Sequence, residues 1–186
     1  MLAGPVYDEV QRCSQLTGIP APPVLLQEQR TGARARARRR RSGCEIVISA
    51  PMTEAPEPVQ CWMAAHEFAH IACGHTTQRR WWLDLALGVH MLSTVGFLGW
   101  IVMTAPAVTF LQSLTVVAIG STMMLTQVLV ATTQRPRERA ADRYAAYVLN
   151  RPLTSEIAEW CRRTMPEPRG PHWLRTHPLW ADRVEP

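Results

Sequence analysis

Met63-Ala64-Ala65-His66-Glu67-Phe68-Ala69-His70-Ile71-Ala72-Cys73-Gly74 is the stretch on which the fold turns. Apolar residues surround its few polar ones, so it reads as a buried helix. Pro58 suits the first turn, where a missing N–H costs nothing, and Gly74 suits the end. On a helix, residues four apart share a face, so the imidazoles of His66 and His70 can grip one metal ion. Glu67 stands beside them, placed to act as a general base on a water. The apolar surroundings strengthen electrostatic interactions at such a site.

Toward the N-terminus, residues 5–18 read as a short amphipathic helix with Val6, Val10 and Leu16 as its apolar positions and Gly18 as its stop. Pro20, Pro22 and Pro23 make an extended link. Val24–Glu28 and Cys44–Ser49 then read as strands, the second rich in β-branched residues. An Arg-rich loop over 30–43 joins them, and a small antiparallel sheet is expected. The run Arg34–Arg41 supplies much of the net charge of +5. It reads as a solvated loop, with anionic lipid or nucleic acid as its other conceivable partners.

Toward the C-terminus, no Asp, Glu, Lys or Arg occurs from Leu85 to Gln134, although 19% of the chain is charged. Residues 85–105 and 108–131 are each long enough to cross a hydrocarbon core of roughly 30 Å as a helix. Only Pro106-Ala107 separates them, so a transmembrane hairpin is expected. Arg79 and Arg80 flank one end, and Arg135, Arg137 and Arg139 the other. Positive flanks stay on the cytoplasmic side, which predicts a multi-pass cell-membrane protein with its soluble part and both termini cytoplasmic. Beyond the hairpin, helices are expected over Pro136–Asn150, over Thr154–Met165 with Thr154 or Ser155 as cap, and around Pro178–Val184.

The third metal ligand decides the subclass. Gly74 and His75 lie four and five residues past His70, which does not fit the metzincin spacing. His75 reads as a residue favoured at a helix C-terminus by the dipole. Glu138 and Asp142 are four apart on one helical face. Glu138 would complete a two-histidine, one-carboxylate set that leaves a position open for water, and Asp142 could then hold a ligand histidine. The residues alone leave Glu138 equally open to being a surface glutamate at an Arg-rich helix start.

Three ordered motifs make the resemblance specific: His66-Glu67-Phe68-Ala69-His70, then Glu138-Arg139-Ala140-Ala141-Asp142, then His177-Pro178-Leu179-Trp180-Ala181-Asp182-Arg183. With the apolar stretch between the first two, the chain resembles the M48 family of membrane-associated zinc metallopeptidases over most of its length, from Gly18 to Arg183. The resemblance implies a single domain over 1–186. Its fold would be α+β and mainly helical, a zincin-like core with a small antiparallel sheet and an inserted two-helix transmembrane hairpin. It implies one Zn2+ per chain on His66, His70 and Glu138, with Glu67 as general base in peptide hydrolysis by metal-activated water. His177 would stabilise the oxyanion, and Asp142 and Arg183 would support the site or the substrate. The family's substrate-lining edge strand falls here on Gly32–Arg38, an Arg-rich segment unlike the usual pattern. That departure leaves the substrate preference open between acidic peptides and a lipid surface.

Composition narrows the remaining classes. The five cysteines include no CxxC pair, and residues 1–9 lack the features of a signal peptide; a reduced, cytoplasm-facing location fits. No recognition motif or stacking aromatic accompanies the Arg run, so nucleic acid is not an expected partner. Expected partners are a peptide or protein substrate and the lipid bilayer; the sequence carries no signal for an oligomeric state. The competing class is a zinc-binding membrane scaffold or regulator that does not cleave.

Overall fold

The structure, a computed structural model, describes residues 4–27, 32–76, 110–165 and 179–184, with helical positions 88–89, 92–93, 96 and 100 between them. In chain order the elements are α1 (Pro5–Thr17), β1 (Val24–Gln27), β2 (Ala35–Arg40), β3 (Gly43–Ser49), α2 (Ala50–Thr53), α3 (Glu57–Ala72), α4 (Phe110–Leu149), α5 (Ser155–Thr164) and a 3-10 turn (Trp180–Arg183). They divide into two compact units. One comprises residues 1–78, 135–169 and 177–186, and the other residues 79–134 with 170–176.

The first unit is built around α3. From Trp62 to Ala69 every residue of this helix is buried. A helix apolar all round must be enclosed, and α3 is packed by α1, β2, β3 and α5. Ala64, Ala65 and Ala69 keep its surface low, while Trp62 and Phe68 fill the core beside Val10, Ile46 and Met52. On α1 the buried positions are Val6, Glu9, Val10 and Cys13. Leu16, expected on that face, is 62% exposed. Leu16 lies seven past the buried Glu9, on the same side, but it stands in the last turn of α1 just before the Gly18 cap, at the end of the buried stripe.

The sheet is three-stranded, in the order β1-β3-β2. β1 runs parallel to β3, with Val24 opposite Ile46, and β2 runs antiparallel to β3, with Ala37 opposite Ile46. The expected antiparallel pair is therefore corrected to a mixed sheet, and the expected loop over 30–43 contains strand β2. The reason lies in period two. Ala35 and Ala37 sit opposite the buried Ile48 and Ile46, so alternating arginines turn to the other face. Gly43 opens β3 with φ at 134°, a conformation open to glycine, just after the tight turn at Arg41-Ser42.

The second half of the chain departs further. Among the described residues no helix is long and apolar enough to cross a membrane, so the transmembrane hairpin over 85–105 and 108–131 is not found. Most of the first expected span lies outside the described residues. The second is absorbed into α4, whose 40 residues continue through the charged segment Arg135–Arg143. Pro136, expected to open a new helix, stands inside α4. Its ring removes one N–H from the ladder. Just upstream, the hydroxyls of Thr132 and Thr133 both donate to the Leu129 carbonyl, at 3.0 and 2.9 Å.

The end of α4 is fixed by local rules. Asn150 takes a left-handed φ of 51°, and the Arg151 N–H reaches back to the Ala146 carbonyl at 3.1 Å. Asparagine tolerates that conformation, and this bond satisfies an end carbonyl. Arg12 of α1 donates to the Val148 carbonyl at 3.1 Å while pairing with the buried Glu9. Thr154 caps α5, accepting from the Ile157 N–H as expected.

Candidate metal centre

The helical repeat of α3 brings His66 and His70 to one face, and that of α4 brings Glu138 and Asp142 to another. The two faces meet. His66 Nε2 lies 3.2 Å from His70 Nε2, and Glu138 oxygens lie 3.4 Å from each of these nitrogens. His66 is 3% and Glu138 5% exposed. These three residues could hold a metal ion.

The spacing fits zinc. A tetrahedral ion with ligand bonds of about 2.0–2.1 Å holds its ligands about 3.3–3.4 Å apart. Two imidazoles and a carboxylate also match zinc's preference in donor type. The charge balance points the same way. Burial alone would lower the pKa of His66, yet hydrogen bonds to Asp142 and Glu138 raise it to about 9. Buried carboxylates crowded here favour a cation in their midst.

Each histidine is held from behind. His66 Nδ1 lies 2.9 Å from Asp142, which in turn binds Arg183 through Nε at 2.8 Å and Nη2 at 2.5 Å. Burial would raise the Asp142 carboxyl, but hydrogen bonds from His66 and Arg183 hold it below the usual carboxylate range. Arg183 comes from the 3-10 turn, stacks 4.2 Å from the Trp180 ring and keeps its side chain 4% exposed. Here it braces Asp142 and His66 rather than facing solvent. Behind His70 stands His75, with the two Nδ1 atoms 3.0 Å apart. Gly74 makes this possible. Its φ of 70° ends α3, and the His75 N–H returns to the His70 carbonyl at 2.8 Å, folding the chain back.

Glu67 is buried beside the cluster, and the Ala37 N–H of β2 donates to its Oε2 at 2.5 Å. Burial raises the Glu67 carboxyl, against the pull of His66 and that N–H. A carboxylate whose affinity for a proton is raised suits a group that must take up and give back a proton.

Of the residues expected from sequence, the structure brings together His66, His70, Glu138, Asp142 and Arg183, with Glu67 alongside. His177 lies outside the described residues. Sequence reasoning missed His75 as a partner of His70, although a glycine directly before it is the signal for such a return. It also missed the Ala37 N–H, visible only once β2 is a strand.

Two histidines and a carboxylate beside a buried glutamate are a set that a metallopeptidase uses. The chain belongs to peptidase family M48, whose family model matches residues 4–186. No curated protein and no solved structure matches the chain.

Proposed function

We propose that the chain is a zinc-dependent endopeptidase that hydrolyses internal peptide bonds, with one zinc ion per chain held by His66, His70 and Glu138. The observation that carries this reading is the 3.2–3.4 Å spacing of the three ligand groups beside the buried Glu67. Zinc at this site would polarise the scissile carbonyl and lower the pKa of the attacking water. Glu67 takes the proton of that water at its carboxylate and delivers it to the departing amine. Asp142, braced by Arg183, fixes the His66 ring, and His75 fixes the His70 ring. His177 supplies the hydrogen bond to the tetrahedral oxyanion, a role resting on the sequence resemblance alone.

The substrate lies extended along the free edge of β2, paired through its backbone. Membrane attachment through residues 85–131 belongs to the same proposal. Its support is the charge-free stretch 85–134, together with the exposure of Val89, Leu92, Met124, Leu125 and Leu129 within the second unit. Apolar side chains exposed in such a group mark a surface that is covered by lipid or a partner. The active-site unit and both termini would then face the cytoplasm.

The test uses purified protein in detergent, wild type beside Glu67→Gln. Zinc near one per chain in both, with cleavage of an unfolded casein-like substrate only in the wild type, is the expected result. Zinc in both with no cleavage in either favours a silent zinc-binding scaffold. Absence of zinc from both sinks the ligand set.

A further inference from the structure

β2 is an edge strand whose inner neighbour is β3. The Ser49 N–H donates to the Arg34 carbonyl, and with the register this makes 34–49, 36–47, 38–45 and 40–43 the hydrogen-bonded pairs. The backbone groups of Ala35, Ala37 and Arg39 therefore point away from β3, toward the free edge. The bond from the Ala37 N–H to Glu67 agrees with this, occupies that N–H, and fixes the level of the general base along the strand; the Ala37 carbonyl and the backbone of Ala35 and Arg39 are what an added strand would meet.

Charge is unevenly distributed along that edge. Arg38 and Arg40 are both bound to Glu45. Arg36 and Arg39 are exposed and have no ion pair among the described residues. Alternation puts Arg36 on the outer face of the sheet, while Arg39, opposite Cys44, shares the face of Ala35 and Ala37 that packs on α3. The free cations nearest to Ala37 thus stand one residue before it and two after it, on opposite faces.

We propose that Arg36 and Arg39 select the substrate, favouring extended peptides that carry two acidic side chains three residues apart. This rests on the peptidase reading above. A peptide residue opposite Ala37 directs its side chain toward α3, where alanine leaves room. Its neighbour opposite Arg36 points to the outer face, beside that guanidinium. The residue opposite Arg39 points to the inner face, beside the second one. The three-residue spacing holds whether the added strand runs parallel or antiparallel to β2. Between and beyond them, Arg38 and Arg40 share the one carboxylate of Glu45, which offsets part of their charge, so among the described residues the unpaired guanidiniums of Arg36 and Arg39 are the ones nearest to Ala37 that an acidic side chain can meet.

The experiment uses quenched fluorescent peptides that differ only at two positions three apart, with Glu, Gln or Lys at both, and a control with the two Glu adjacent. Wild type should cleave the spaced Glu peptide about tenfold faster in kcat/KM than the Lys peptide at low salt, with the difference shrinking as salt rises. The double variant Arg36→Glu, Arg39→Glu should prefer Lys over Glu; ratios within one protein cancel any general loss of activity. Equal rates for Glu and Lys peptides, no gain of the spaced over the adjacent pair, or a preference that survives charge reversal would overturn the proposal. Cleavage of the Gln peptide dependent on Glu67 keeps the peptidase reading standing in that event. If no peptide is cleaved, that reading falls. Binding to Glu67→Gln protein, read by fluorescence anisotropy, then decides: the spaced Glu peptide binding over Lys sustains selection by the edge, and equal binding ends it.

Discussion

The two walls of the candidate metal centre are built differently. Behind His66 stands a charged and buried support, Asp142 clamped by Arg183, drawn from two elements far along the chain. Behind His70 stands a second imidazole, His75, five residues on and delivered by a glycine turn. The first wall ties the metal centre to the closure of the fold, because α3, α4 and the 3-10 turn meet there. The second is local and partly solvated. A residue on the first wall should therefore govern stability and metal binding together, and one on the second metal binding alone.

The largest effect expected is at the ligand the walls share. Glu138→Gln keeps the volume but replaces the carboxylate. Zinc affinity should fall by more than about a hundredfold, since even residues behind the ligands are worth 10–100-fold. Zinc titration against a chelating dye reads this, and retained stoichiometric zinc would remove Glu138 from the ligand set.

Next is the charged wall. Asp142→Ala leaves the guanidinium of Arg183 buried without its counter-charge, and losing one member of a buried pair costs about 3–5 kcal/mol. The melting temperature of metal-free protein should drop sharply, and zinc affinity with it. If Asp142→Ala lowers zinc affinity while leaving metal-free stability intact, the two walls are equivalent and the contrast fails. Adding Arg183→Leu to Asp142→Ala should recover part of the stability but none of the zinc affinity.

The imidazole wall should behave otherwise. His75→Ala should weaken zinc about tenfold and leave the melting temperature of metal-free protein nearly unchanged. His75→Asn, which still offers an acceptor to the His70 ring, should restore part of the affinity. A cobalt-substituted sample adds a spectroscopic readout: the visible bands should shift in His75→Ala if the His70 ring has turned.

The same contrast explains what could be read from sequence. His66, His70, Glu138 and Asp142 were legible because helical spacing of four carries them to common faces, whatever the rest of the chain does. The covering of α3 by apolar neighbours was legible for the same reason. From the residue pattern alone β2 was not: six arginines between residues 34 and 41 read as a solvated run, the alanines that turn inward matter only against Ile46 and Ile48, and only the family resemblance put an edge strand on Gly32–Arg38. The parallel pairing of β1 with β3 joins strands about twenty residues apart, which no local pattern announces. The unbroken course of α4 through Pro136 depends on flanking helix strong enough to absorb one missing N–H. Arg183 was visible as a motif residue, but its burial against Asp142 was not, because the partners are 41 positions apart.

The smallest effect tests how the imidazole wall is delivered. Gly74 has a φ of 70°, and a side chain there costs about 1–2 kcal/mol in the left-handed conformation. The chain can meet that cost in two ways. It can hold the turn and lose stability, or it can relax the turn and carry His75 away from His70. The His75 N–H bond to the His70 carbonyl closes the same turn, so relaxing it breaks that bond as well. Gly74→Ala should therefore show a modest fall in stability together with part of the zinc weakening of His75→Ala. Gly74→Asn, which tolerates the left-handed region better, should show less of both. In the double variant Gly74→Ala, His75→Ala, the zinc effects should not add, because the glycine acts on the metal through the histidine. Full additivity in a zinc titration would mean that Gly74 reaches the site by another route and that His75 is not what the turn is for.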